Sequence, residues 1–244
     1  MPKFFIKKDD IVNNSVEIRG DTLNHIKNVF RLKIGDVLTL CDGEGTDYKA
    51  TIEEENSEFI RAKILEMYET NSEPSVNITL YQGIPKATKM DLIIQKNVEL
   101  GIKRIVPVIC ERTIVKFYSK KDEEKKVERW QKISQEASKQ SGRGIIPVIE
   151  EPIKLKDALN RCSNYDLAII PYEKEYERTL KNVLCENNGA KEICMFIGPE
   201  GGFSEQEIEY AIQNNVIPVT LGNRILRTET ASLYTTAIII YELD

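Results

Sequence analysis

Beyond residue 75 the chain repeats one rhythm, a short apolar run followed by a turn and then an amphipathic stretch. The apolar runs fall at 77–84, 104–110, 166–171, 193–197 and 217–221, and helical spacing fills 89–100, 122–140, 176–186 and 205–214. Apolar strands separated by helices of this length predict an α/β domain with a largely parallel sheet covered on both faces. The helix ends carry their own signals. Thr88 with Asp91, and Ser204 with Glu207, have capping-box spacing, while Gly101 and Gly142 stand where C-terminal caps belong. A last helix, 231–242, is apolar around most of its circumference, so either the core or a partner subunit must cover several of its sides.

Residues 1–70 read differently. Short alternating runs at 36–41, 48–52 and 59–65, with a Gly-containing turn at 42–45 and one helix at 21–30, predict a small, mainly β domain. The polar, proline-containing stretch 70–75 is the natural linker, giving domains at 1–70 and 75–244.

Composition narrows the function classes. No stretch of the 244 residues approaches the roughly 20 apolar positions needed to span a bilayer, and residues 1–10 lack a signal-type hydrophobic core, so a cytoplasmic location is expected. The five cysteines are scattered with no C-x-x-C pair and there is one histidine, His25, which predicts reduced, packed thiols and no metal site. Net charge is −5, yet residues 71–150 hold 15 basic against 10 acidic side chains. A local basic face can meet phosphates on an acidic protein, because salt screens fields beyond about 8 Å.

Two loops carry polar groups out of apolar strands. In Phe196-Ile-Gly-Pro-Glu-Gly-Gly-Phe-Ser204 a strand ends in a glycine-rich loop and Ser204 opens a helix. Glycines admit close backbone approach and a helix start offers free N–H groups, although a tight strand-to-helix turn alone would look the same. In Leu221-Gly-Asn-Arg-Ile-Leu-Arg-Thr-Glu-Thr-Ala231, Arg, Glu and two Thr lie between apolar segments. Thr228 as cap and Glu229 against the helix dipole would explain two of them but not Arg227. Loops at strand C-termini of an α/β sheet are where ligands bind.

The pair Gly198-Pro-Glu-Gly-Gly202 and Leu226-Arg-Thr-Glu-Thr-Ala231 resembles the two cofactor loops of the SPOUT methyltransferases. The whole chain resembles the ribosomal RNA small subunit methyltransferase E family, which methylates N3 of a uridine in 16S rRNA. Residues 25–36 are similar to that family's N-terminal PUA-like β-barrel, residues 82–101 to its first helical unit and residues 136–143 to its middle segment. The resemblance implies a C-terminal domain with a trefoil knot, which ordinary connection rules would exclude, and a homodimer. It implies S-adenosylmethionine as cofactor, held by Pro171, Ile197, Gly198, Glu200, Gly201, Gly202, Leu221, Gly222, Ile225, Leu226, Arg227, Thr230 and Ala231. It also implies 16S rRNA, within the assembled small subunit, as partner.

Methylation at N3 needs an unpaired or flipped base. Arg227 is then placed to favour the imide anion with its forked, permanently charged donors, and Glu229 is the candidate proton acceptor. Phosphate contacts are assigned to Arg31, Lys33, Lys86, Lys89, Arg112 and Arg143, with Lys116 a further candidate; Lys86, Lys89 and Lys116 each read also as a solvated surface charge, and Arg143, between two glycines, is the better candidate for RNA. Trp130, in helical register with Val127, Ile133 and Ala137, reads as core. A non-catalytic RNA-binding module, or a nucleotide-binding enzyme of another kind, stays open.

Overall fold

A computed structural model of the chain describes residues 3–244; Met1 and Pro2, part of the N-terminal stretch read above, lie outside the described residues. Backbone contacts divide it into two compact units, Met1–Glu73 with Ser138–Ile146, and Pro74–Ala137 with Pro147–Asp244.

The first unit is a six-stranded sheet. Its strands are β1 (Lys3–Phe5), β2 (Ile11–Val12), β3 (Ser15–Ile18), β4 (Val37–Cys41), β5 (Thr46–Glu55) and β6 (Ile60–Glu69), with helix α1 (Gly20–Asn24) between β3 and β4. The sheet order is β1-β4-β5-β6-β3-β2, with β1 and β2 at its two ends. Only the β1–β4 pair is parallel. Phe4, Val16, Ile18, Leu38, Leu40 and Ile52 alternate inward to make its core. The helix expected at 21–30 is α-helical only to Asn24 and runs on as a π turn, His25–Phe30, closed by Arg31 at φ 56°. His25 packs there, its ring 6.2 Å from Phe4 and 5.1 Å from Phe30.

The segment after residue 137 also belongs to this unit, which the linker signal alone did not reveal. Gly45 N donates to Gly144 O over 3.1 Å, Ile146 N to Gly43 O over 3.0 Å, and the Cys41 thiol to Gly144 O over 3.2 Å. Arg143 is buried, with Nε 3.1 Å from Glu73 Oε2, and the Glu73 carboxylate also accepts the amides of Gly144 and Ile145. Arg143 therefore serves packing, and its expected role at an RNA phosphate is corrected. A guanidinium with two-pronged carboxylate pairing and 4% exposure is committed inside the unit.

The second unit holds seven strands. Parallel β7 (Asn77–Gly83), β8 (Arg104–Ile109), β9 (Val148–Ile149), β10 (Ile153–Lys154), β11 (Leu167–Pro171), β12 (Glu192–Ile197) and β13 (Ile217–Val219) run in the order β10-β8-β7-β12-β11-β13, with β9 also on β8. Successive residues face opposite sides, as a pleated strand requires. Ile78, Leu80, Ile193 and Met195 join one core with α2 (Lys89–Leu100), α3 (Lys120–Ser141), α5 (Leu180–Glu186) and α7 (Thr228–Leu243). Tyr81, Val106, Cys194 and Phe196 join the other with α4 (Leu155–Leu159) and α6 (Glu205–Gln213). Both faces are covered, as the continuous apolar runs predict. Trp130 and Ala137 lie in the first of these cores. Four cysteines are buried, but Cys185 is exposed.

Several boundaries move. The helix expected from 176 starts at Leu180, where the Thr179 hydroxyl accepts the Asn182 amide. The last helix starts at Thr228, three residues early. It is also less uniformly apolar inside than its sequence suggests. Ser232, Thr235 and Thr236 are buried, and Asn97 of α2 donates to Ser232 Oγ over 2.8 Å and accepts from Thr236 Oγ1 over 2.6 Å. Tyr234 and Tyr241 of the same helix are exposed.

Candidate active site

Strand register brings four chain segments to one edge. Ile197 of β12 stands beside Gln82 of β7, and Pro171 of β11 beside Val219 of β13. Since every pairing is parallel, the loops after these strands all leave from the carboxyl edge. The glycine loop turns tightly, Gly202 N donating to Pro199 O over 2.9 Å. Ser204 then caps α6 in a full capping box with Glu207, and the second Glu207 oxygen accepts the Glu111 amide at 2.7 Å.

The second loop meets the first through Thr228. Its hydroxyl donates to Gly198 O over 2.6 Å and accepts from the buried Gln82 Nε2 over 3.0 Å. Thr228 is not the helix cap expected from sequence. Arg227 occupies the cap position with extended φ −66°, ψ 154° and makes no side-chain cap bond, so the hydroxyl is spent on joining the loops.

Two of the cations assigned to RNA phosphates, Lys89 and Arg112, contact the glycine loop through their charged groups, and Lys86 does so through its backbone. The Lys86 amide donates to both Glu200 oxygens, at 3.1 and 3.3 Å. The Lys89 ammonium sits 3.0 Å from Glu200 and 3.6 Å from Glu229, and Arg112 donates to Gly201 O over 2.7 Å. Lys89 and Arg112 thus make intramolecular contacts with the glycine loop, whereas for Lys86 the engaged group is the backbone. Burial pulls the Glu200 carboxyl upward, but its own amide, the Lys89 ammonium and the Lys86 amide together hold it below the usual carboxylate value. Ala87, between these two lysines, takes φ 53°, a left-handed conformation costing a residue with Cβ about 1–2 kcal/mol. Thr88 makes no side-chain cap bond, contrary to its capping-box spacing.

The remaining expected residues divide by exposure. Leu221 and Ala231 pack against the core that holds α7. Leu226 is half-buried, whereas Ile225 is 88% exposed and Gly222, Arg227 and Thr230 are exposed as well. No hydrogen bond joins Arg227 or Thr230 side chains to the glycine loop among the described residues. Glu229 is mostly buried, and its Oε2, like Gln82 Oε1, lacks a hydrogen-bond partner. Sequence reasoning missed Gln82, and it missed the contacts by which Thr228 and Lys89 reach the glycine loop. The signal available was an uncharged polar residue ending an apolar strand, but its partner lies 146 residues away. In the first unit, Arg31 and Lys33 are exposed beside Val29, Phe30 and Ile34. No group of three His, Cys, Asp or Glu side chains among the described residues stands where it could hold a metal ion.

Residues 71–240, which include the doubly covered parallel sheet and the two loops joined at its carboxyl edge, match a family model described as an RNA methyltransferase domain. That makes the chain an RNA methyltransferase, and a second model, the PUA domain of RNA methyltransferases, matches residues 18–65. Ribosomal RNA small subunit methyltransferase E of Bacillus subtilis is 31% identical over 93% of this chain and 90% of its own length. The enzyme of that name from Mesomycoplasma hyopneumoniae is 33% identical over 96% of each. A solved ribosomal RNA small subunit methyltransferase E from Neisseria gonorrhoeae, bound to S-adenosyl methionine, shares 34% identity and a TM-score of 0.85 over 98% of this chain and 96% of that one. The chain belongs to the ribosomal RNA small subunit methyltransferase E family.

Proposed function

We propose that this protein transfers a methyl group from S-adenosylmethionine to N3 of one uridine in 16S rRNA, within the assembled small subunit and in the cytoplasm. The observation that carries the reading is the joining of the two loops through Thr228 and Gly198, which makes one site from two separate motifs. The residues there fit the cofactor. At Gly222, φ 101° with no atom within 4 Å of a would-be Cβ leaves bare, approachable backbone. Ile225 and Leu226 offer apolar surface for a purine, and Glu229 Oε2 and Gln82 Oε1, neither with a hydrogen-bond partner, are acceptors for hydroxyl or ammonium donors.

Bound there, the cofactor supplies an electrophilic sulfonium methyl whose C–S bond breaks as the bond to nitrogen forms. The chain's own task is to hold the base and manage one proton. Uracil N3 gives its proton to the Glu229 carboxylate, and the resulting negative charge spreads over the two flanking carbonyl oxygens. Arg227, with no side-chain partner among the described residues, is free to place its guanidinium on that anion. Holding the two reactants in line supplies much of the acceleration. The half-exposed side of α7, with Tyr234 and Tyr241 outward, supports a homodimer built on that helix, and the C-terminal domain is knotted as the family resemblance implies.

The test is a primer-extension assay on 16S rRNA taken from small subunits of cells lacking the gene, after incubation with the protein and S-adenosylmethionine. A methyl on N3 blocks pairing, so one new stop at a uridine is expected. No stop, or a stop at another base, overturns the reading. Arg227→Ala is expected to abolish the stop while retaining cofactor binding.

A further inference from the structure

Lys89 is the first residue of α2, and sequence gives no reason to tie it to either loop. In the structure its ammonium lies between two carboxylates from those separate loops, Glu200 at 3.0 Å and Glu229 at 3.6 Å. No other cation among the described residues lies within salt-bridge distance of either one. The approach to α2 is shaped around the same carboxylate. Ala87 adopts φ 53°, and the Lys86 amide meets both oxygens of Glu200. Glu229 has only 15% of its side chain exposed. Without Lys89 it would be a largely buried carboxylate with no compensating charge, an arrangement that drives a side chain to turn outward or take up a proton.

We propose that Lys89 is a positioning residue that fixes the Glu229 carboxylate against the glycine loop, using Glu200 as its second anchor. It acts through Glu229 and Glu200 and does not itself reach an RNA phosphate. The proposal rests on the function proposed above, and it adds a requirement to it. The Arg-Thr-Glu-Thr loop and the glycine loop form a competent site only when a cation from α2 lies between them. The Thr228–Gly198 bond ties the loop backbones together, whereas Lys89 sets where the acidic side chain points.

The experiment is isothermal calorimetry with S-adenosylmethionine on wild type, Lys89→Met, Lys89→Arg, Glu200→Gln and the Lys89→Met/Glu200→Gln double variant, alongside methylation kinetics and RNA affinity. Lys89→Met is expected to weaken cofactor binding about tenfold and to lower kcat, the scale of one lost charge-assisted hydrogen bond. Lys89→Arg recovers most of both. In the double variant the Glu200 change adds little, because its partner is already gone. Unchanged cofactor affinity and kcat in Lys89→Met, or strictly additive losses in the double variant, would overturn the proposal. So would a loss confined to RNA affinity, which would return Lys89 to the phosphate role suggested by sequence. If wild type itself binds no cofactor, the function proposed above fails first, and the two failures are separable.

Discussion

The Thr228 hydroxyl donates to the carbonyl of Gly198 over 2.6 Å while accepting from Gln82 Nε2 over 3.0 Å, so one buried oxygen links a strand end, the glycine loop and the last helix. Replacing it with Val keeps the shape and removes the hydroxyl. The Gly198 carbonyl and the Gln82 amide then each lose a partner at a site where 0% of Gln82 is exposed. Gln82 Nε2 keeps its 2.9 Å bond to Gly83 O, and the buried donor and acceptor positions left unfilled cost about 1–3 kcal/mol. Thr228→Val is expected to lower the thermal midpoint and weaken S-adenosylmethionine binding together, with Thr228→Ser close to wild type in both. A Val variant with wild-type calorimetry would show that the loops hold their geometry without this oxygen.

Gly83 sets a second constraint on the same loop. A Cβ at that position would lie 2.5 Å from Pro199 Cδ and 2.6 Å from Pro199 N. The neighbour is a ring and its backbone, which cannot swing aside as a flexible side chain would. Gly83→Ala must therefore push the glycine loop away from β7, an overpacking cost of about 1–3 kcal/mol. Gly222→Ala provides the contrast, since its Cβ meets nothing within 4 Å and only the φ of 101° resists it. Denaturant melts of the two variants should show a loss in both, with cofactor binding reduced in Gly83→Ala even after extrapolation to fully folded protein. Retained affinity in that variant would mean the loop tolerates displacement.

Strands and helices of the second unit were readable because each is long enough to display its own period. The α2 limits fall at Lys89–Leu100, as spacing predicted, and Ser204 forms the capping box its sequence advertised. What could not be read were side-chain partnerships across long separations. Arg143, between two glycines, looks like a surface cation. Its partner Glu73 is 70 residues back, inside the stretch that reads as a linker. Thr228 has the spacing of a cap, and only the presence of Gly198 30 residues earlier diverts its hydroxyl. Lys89 and Arg112 carry the charge a phosphate would want, but the carboxylate and carbonyl that occupy them are folded in from the glycine loop. Local patterns specify elements; the competition for each polar group is decided by tertiary structure.

Glu73 makes the first unit sensitive to acid. Burial raises its carboxyl, but the Arg143 guanidinium and the Gly144 and Ile145 amides outweigh that and hold it below its ordinary 4.5. A group depressed in the folded state stabilises fully above its unfolded value, and that contribution is lost as pH falls through the folded value. Glu73→Gln is expected to destabilise the protein by about 1–3 kcal/mol near neutrality, the cost of taking the charged acceptor away from the Arg143 guanidinium. The gap between variant and wild type should close as pH drops below 4.5. Urea melts at several pH values measure both. A gap that is constant down to about pH 3 would show that another group governs the acid limb.

Arg31 and Lys33 have no ion-pair partner among the described residues, in contrast to Lys27 of the same turn, which lies 3.1 Å from Glu55. Both are exposed, and Arg31 sits at the left-handed end of the π turn, next to exposed Phe30. Two cations beside exposed apolar side chains suit a nucleic-acid backbone with a base lying alongside. Since neither side chain is buried, Arg31→Ala with Lys33→Ala should leave the melting midpoint near that of wild type. Each phosphate contact contributes about 0.7–0.9 to the slope of log affinity against log salt. The double variant is therefore expected to weaken binding to small-subunit RNA and flatten that slope by about 1–2, while calorimetry with S-adenosylmethionine is unaffected. Weaker binding with an unchanged slope would mean the side chains act by shaping the turn rather than by meeting phosphates, and an unaltered affinity would remove this face from the RNA interface.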